Sequence, residues 1–438
     1  MKFSNKQLIV ILFALITFIL LISINFNKEL YVTPAEKQNM TNKFETWAYE
    51  WFSSFAESHI MKGLDYTKGQ DFFYSYGNKS GETLTEAYAH HPPGTGLMLS
   101  IVYLTFGFNI ILSRILSLIL YCLTLFFFYK IFEEWFLKNK TWLIFSIIIL
   151  SIIPLSTIYG KHVIYHDIPA LLFIVMGLYY YIKIIEKKET KHTKKLAIAA
   201  FIIASFFSES GIIITLLVNA HNIIFLKDKK FKFEFAKWTI IILAVMLIQI
   251  LLIQGAINGL TTNMDKETAP INVLAQVYIT THTQIYTNII PIMSLIGFIM
   301  ICYYEKEKRK KILFLLGIYA SYFIINTITL SNTAQAILHP WPQIIYFPIE
   351  IILSAYLLNR IYLKKTIFSK IIITSIIFIL IKKTFMMMSN FYGNNMFDYG
   401  LWGKIIYFFT TSQPYIILAS LILIIIIHYL IKNYKKIN

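Results

Sequence analysis

The sequence predicts an all-α polytopic membrane protein with about 11–13 transmembrane helices, each built from the roughly 20 apolar residues that a hydrocarbon core requires. Three observations predict it. The 438 residues are 57% hydrophobic and only 14% charged, well below the roughly 25% charge of a soluble domain. The apolar residues gather in runs as long as Gln7 to Phe26 and Gln413 to Leu430, without the alternation of barrel strands, so helices are the spanning form. The lysines and arginines behind the net charge of +17 cluster between those runs, where cytoplasmic loops collect them. That distribution points to a membrane protein and away from a nucleic-acid binder.

The first run, at about 7–26, follows Lys2 and Lys6 and lacks a small-x-small cleavage site. It reads as an uncleaved signal anchor. A long first loop, 27–109, comes next. Within it, Phe44 to Met61 reads as an amphipathic helix whose Trp47, Trp51, Phe52, Phe55 and Ile60 suit the membrane interface. Gly94 to Phe108 is apolar but short, and lies between Pro92-Pro93 and Gly107. Further spans are expected at about 110–130, 142–158, 168–184, 196–207, 210–226, 238–255, 288–304, 312–329, 342–358, 367–383 and 412–431. The two halves around Ser208-Glu209-Ser210-Gly211 are short and read as two spans or as one helical hairpin. Cys122 and Cys302 both fall inside apolar runs, which argues against a disulfide framework or a cysteine metal site. No internal repeat is visible, and residues 1–438 are expected to form a single membrane-embedded domain with no separate soluble one.

Charge decides the sidedness. If Gly94–Phe108 lies in the interface, the basic clusters all fall on one side: Lys2/Lys6, Lys130–Lys140, Lys183–Lys195, Lys227–Lys237, Lys306–Lys311, Arg360–Lys365 and Lys432–Lys436. They hold about two thirds of the chain's 40 lysines and arginines. If that stretch spanned, every cluster after the first would sit across the membrane from it. The positive-inside bias therefore makes 94–108 a juxtamembrane helix. Lys382, Lys383 and Lys404 depart from the pattern. Between Asn27 and Glu86 the first loop carries more acids than lysines, so it is acidic where the opposite loops are basic.

On that extracytoplasmic face stand the candidate functional residues. Glu45 and Glu50 lie on the amphipathic segment of the first loop. His90-His91-Pro92-Pro93-Gly94-Thr95-Gly96 makes a rigid elbow whose glycines permit close approach of a ligand. Adjacent histidines do not readily face one metal, and no metal site is expected. Tyr159 to Pro169 links two spans and brings Lys161, His162, His166 and Asp167 to membrane depth. Asp167 fits a helix N-cap with Pro169 in the first turn, and an ionisable group at that depth is also a functional candidate. His339-Pro340-Trp341-Pro342 opens a later span as an aromatic belt or a cation-bearing edge, and Glu209 stands in the Ser208–Gly211 turn. Arg114, near the outer end of its span, either snorkels or holds a phosphate in its planar fork.

The ordered set resembles the GT-C membrane glycosyltransferases, nearest to the branch of dolichyl-phosphate-mannose protein mannosyltransferases and the bacterial aminoarabinose lipid A transferase. It runs Glu45-Thr46-Trp47, Ala56 to Gly63, His91-Pro92-Pro93, Phe106-Gly107 with Arg114, Asp167-Ile168-Pro169, and His339 to Pro348. The resemblance covers about residues 7–226, and the remainder shares hydropathy only. It implies a hexosyl- or pentosyltransferase moving sugar from a polyprenyl-phosphate donor to an extracytoplasmic acceptor: lipid A, a surface glycan or a protein. It implies a loop carboxylate as base, with Glu45 leading and Glu50 as its rival, because the family often shows an Asp or a paired Asp-Glu there. It implies that Asp167 is the second acid, and that Arg114 and His339 meet the phosphate, although the family's late basic residue is usually Arg or Lys. His91, Lys161 and His166 would line the site. No cofactor, metal or nucleic acid is implied, and the setting would be a bacterial inner membrane with the site facing the periplasm. The lack of a soluble C-terminal domain argues against an oligosaccharyltransferase subunit. The lack of a β-trefoil-like insertion argues against the eukaryotic protein mannosyltransferases. An O-antigen or capsule polymerase would carry a large late loop, and a transporter would carry midplane charges and repeated halves.

Overall fold

The computed structural model describes residues 5–23, 56, 60, 72–74, 84–87, 92–107, 109–136, 140–160, 167–252, 285–329 and 341–392. They form an all-α bundle with one short antiparallel strand pair, Phe72–Tyr74 against Leu84–Ala87, in which Phe72 faces Ala87. The helices are α1 (Asn5–Ser23), α2 (Gly94–Phe106), α3 (Ile110–Phe136), α4 (Lys140–Ile152), α5 (Asp167–Ile185) and α6 (Thr193–Phe207). They continue with α7 (Glu209–Phe225), α8 (Lys229–Leu252), α9 (Ile289–Tyr304), α10 (Lys306–Thr329), α11 (Phe347–Leu363) and α12 (Ile367–Tyr392). The expected last span, 412–431, lies outside the described residues.

Three of the described helical stretches, Ile111–Phe136, Asp167–Ile185 and Ile344–Leu363, are long and apolar enough to cross a membrane by length and composition. The third is 89% buried and forms the centre of the bundle, whereas the first is 39% buried and turns one flank outward. Around the centre, Trp142 of α4 donates Nε1–H to the Ile352 carbonyl of α11 at 2.8 Å. Its ring packs against Phe132, Phe136 and Tyr356. At Gly297 a Cβ would come within 2.1 Å of the Leu353 carbonyl oxygen, so the α9–α11 crossing depends on a bare backbone, as close crossings in membranes do.

Two expected spans differ in detail. The run at 142–158 is broken after α4, and a π-helical turn, Leu155–Tyr159, follows. Pro154 at the junction has no N–H and crowds the preceding turn, and Gly160 N–H then reaches the Leu155 carbonyl at 2.8 Å. Helix α12 runs past 383 to Tyr392, because Phe385 to Met388 continue its apolar content. Lys382 consequently sits inside the bundle at 4% exposure. The Ser208 segment is a helical hairpin. Ser208 is the single residue between α6 and α7, and a Cβ on Gly211 would come within 2.1 Å of the Ala204 carbonyl oxygen.

The basic loops gather at one end. Lys188 pairs with Glu134, Lys311 with Glu186 at 3.0 Å, and Lys194 with both Glu189 and Asp228 at 2.9 and 2.8 Å. Lys308 lies over Trp142, Lys311 over Trp135 and Arg360 over Tyr304. Helix α2 touches the opposite end twice. Its first residue, Gly94, abuts Phe206 and Phe207 at the end of α6, and Tyr103, near its last turn, hydrogen-bonds Ser113 at the start of α3 at 2.7 Å. Both ends of α2 therefore meet the same end of the bundle. Thirteen residues at roughly 1.5 Å each also fall short of the roughly 30 Å hydrocarbon core. Helix α2 lies across that end and does not traverse the bundle, as the parity of the basic loops requires.

Candidate functional site

At the end remote from the basic loops, several helix termini converge. Asp167 opens α5 ahead of Pro169 in the first turn, with an apolar stretch behind it, and a carboxylate there complements the helix dipole. It is 1% exposed. Ser208, with φ −156° and ψ 150°, is extended and caps α7. Its Oγ donates to Asp167 Oδ1 at 2.6 Å and accepts from Ser210 N–H at 3.1 Å. Ser210 Oγ and Tyr322 OH of α10 lie 2.8 Å apart, and Tyr322 is within electrostatic reach of Asp167 and Glu209. Tyr346, in the 3-10 turn Trp341–Tyr346 ahead of α11, packs its ring against Tyr319, Tyr322 and Phe323. One polar chain thus joins α5, α7 and α10, with an aromatic cluster beside it.

Helix α3 begins on the same end. Asn109 Oδ1 accepts from Ile111 N–H at 2.7 Å, an Asx-type start, and Arg114 follows on the next turn at 2% exposure. The guanidinium is enclosed, which removes the snorkelling reading. On the facing elbow, Gly94 has no room for a side chain: a Cβ would fall 2.5 Å from the Phe206 carbonyl oxygen. Ser100 Oγ donates to the carbonyl of Ala56, a buried helical residue of the first loop, at 3.2 Å. Ala56 therefore rests on α2.

Residues 90–254 match the family model described as dolichyl-phosphate-mannose-protein mannosyltransferase. The chain is also similar to the crystal structure of the Archaeoglobus fulgidus oligosaccharyltransferase in complex with zinc and sulfate, with a TM-score of 0.51 at 14% identity. Residues 90–254 thus resemble that mannosyltransferase family, and the chain shares its fold with the archaeal protein. The likeness covers 92% of this chain and 57% of the archaeal one, so the chain spans a little over half the length of that protein. No curated protein sequence matches it.

The matched segment holds Arg114, Asp167 and the Ser208 turn, and begins after Glu45 and Glu50, which lie outside it. Of the candidates read from sequence, the structure places Asp167, Arg114 and Glu209 at one end. Glu45, Glu50, His91, Lys161, His166 and His339 lie outside the described residues. Three side chains escaped the sequence reading. Ser208 and Tyr322 join Asp167 through a fold-dependent contact, and Glu350 is buried in the first turn of α11 at 3% exposure. The signal for Glu350 was legible, since it is a lone acid in an apolar span. Among the described residues no three His, Cys, Asp or Glu side chains gather in a way that could hold a metal ion.

Proposed function

We propose that the protein transfers a sugar from a polyprenyl-phosphate donor to a hydroxyl-bearing acceptor at the non-cytoplasmic membrane surface. The observation that carries the reading is the buried Asp167 at the opening of α5, set on the same end as buried Arg114 and remote from the basic loops. The family model and the shared fold support it.

In this reading Glu45 is the general base, with Glu50 as its rival. It takes the proton of the acceptor hydroxyl as that oxygen bonds to the anomeric carbon. The bond from the anomeric carbon to the phosphate oxygen breaks, its electron pair stays on phosphate, and polyprenyl phosphate leaves. A positioned carboxylate contributes on the order of 10²–10⁴-fold to such a step. Asp167 orients the acceptor. Arg114 and His339 meet the phosphate, and His91, Lys161 and His166 line the approach. The donor's tail requires a bilayer groove, which an integral membrane protein provides. A bacterial inner membrane with the site on the periplasmic face fits the charge asymmetry, and lipid A, a surface glycan or a protein is the acceptor. No step is routed through a metal.

The test uses purified protein in nanodiscs with undecaprenyl-phosphate hexoses and pentoses, supplied with membranes as the acceptor source. Donor consumption that stops in Glu45→Gln, with insertion intact, is the expected result. Survival of activity in Glu45→Gln and its loss in Glu50→Gln would transfer the base to Glu50. Consumption of nucleotide sugars alone would defeat the reading.

A further inference from the structure

We infer that Ser208 is a positioning residue for transfer, holding the Asp167 carboxylate in one orientation by a hydrogen bond across the α5–α7 junction. The inference rests on the glycosyltransferase reading given above and adds a residue to it.

Ser208 Oγ donates to Asp167 Oδ1 at 2.6 Å, and both residues are buried, at 0% and 1% exposure. A hydroxyl-to-carboxylate bond of that length is of the charge-assisted kind, about twice as strong as a neutral pair. The same oxygen accepts from Ser210 N–H at 3.1 Å, so its hydrogen is committed to Asp167 and its lone pair to α7. Its rotation is fixed from both sides. The backbone of Ser208 is extended, and it is the only residue between α6 and α7. The hairpin is closed by the approach of Gly211 to Ala204, and Ser210 Oγ is tied to Tyr322 OH at 2.8 Å. The serine is thus held by three helices while Asp167 enters from a fourth. A capping serine needs only the acceptor side of this arrangement. The donated bond to an acid 41 residues away is the part that capping does not explain.

Two substitutions separate the roles. Glycine caps a helix almost as well as serine but donates nothing. Threonine keeps both the cap and the donor, and a β-branched residue suits the extended backbone found here. Ser208→Gly is expected to unfold in detergent within a few degrees of wild type. Its kcat for transfer from undecaprenyl-phosphate sugar should fall on the order of 10²-fold, the loss expected when the acceptor is misplaced by about 1 Å. The donor KM should stay within about twofold. Ser208→Thr should recover most of the rate. Ser208→Gly combined with Asp167→Asn should be no slower than Asp167→Asn alone, because the serine acts only through the acid. Wild-type kcat in Ser208→Gly, or additive losses in the double variant, would overturn the inference and leave the glycosyltransferase reading standing. A wild-type protein that consumes no lipid-linked sugar would overturn the reading itself and the inference with it.

Discussion

Arg114 carries its guanidinium into the protein at 2% exposure, so its charge is met by neighbours and not by bulk water. Arginine and lysine differ most in such a place, because only the planar fork can address phosphate through two parallel bonds. Arg114→Lys should therefore keep the fold but raise the apparent KM for the lipid-linked donor by about tenfold, about 1.4 kcal/mol. An unchanged KM would remove Arg114 from the phosphate. Gly211 and Gly317 make a matched pair at the same scale. A Cβ at Gly211 would meet the Ala204 carbonyl oxygen at 2.1 Å, whereas one at Gly317, inside α10, meets nothing within 4 Å. Gly211→Ala should cost about 1–3 kcal/mol or more through overpacking against backbone. Gly317→Ala should be neutral or should stabilise by up to about 1 kcal/mol, the helix preference for alanine. Thermal unfolding in one detergent measures both, and equal effects would show that the α6–α7 crossing is looser than described.

At the level of elements, the feet of α6 and α8 are joined by Lys194, which bonds Glu189 and Asp228 together. The Lys194 ammonium and the Phe231 backbone N–H hold the Asp228 carboxyl below the usual carboxylate range. Asp228 and Glu189 in turn raise Lys194 above the usual lysine range. For the depressed acid, the stabilisation is present above about pH 4, its ordinary value, and is lost as pH falls through the lower folded one. For the raised lysine it is present below about pH 10 and is lost as pH rises through the folded one. The clasp is thus complete across neutral pH, so the melting temperature should be flat in that window. More than a third of the Asp228 side chain is exposed, so the clasp is screened and weak. Asp228→Asn should lower the melting temperature by no more than a few degrees, and a larger drop would mean that Asp228 bears more than this contact. These helices were legible in the sequence because hydropathy sets their length, and the hairpin at Ser208 was legible because small polar residues interrupt two short runs. The break at Pro154 was also written there, as a proline within an apolar run. Its π-turn was not, and Gly160 at its end packs against the ring of Tyr121 on another helix, where a Cβ would come within 2.7 Å. The contact between Asp167 and Ser208 spans 41 residues, and no local pattern reaches that far.

The whole molecule turns on which end faces the cytoplasm. The paired lysines, Lys188 with Glu134, Lys311 with Glu186 and Lys194 with Asp228, fix the basic end as a geometric fact. Helix α2 meets the other end at both of its own ends. A bundle with charge so divided inserts with its basic end inside, because lysines and arginines in short loops resist translocation. The proposed extracytoplasmic placement of Asp167 and Arg114 stands or falls with that orientation. Single cysteines test this in a background where the free thiols Cys122 and Cys302 are replaced by serine. A Lys79→Cys variant should react in intact cells with a membrane-impermeant maleimide. A Lys191→Cys variant should react only after permeabilisation, since Lys191 lies in the exposed turn between α5 and α6 at the basic end. The reverse pattern would place Asp167 on the cytoplasmic side and defeat any acceptor outside the cell. Labelling of both in intact cells would mean that an odd number of crossings separates the first loop from the signal anchor's inner end and an even number separates it from Lys191, so that α2 crosses after all.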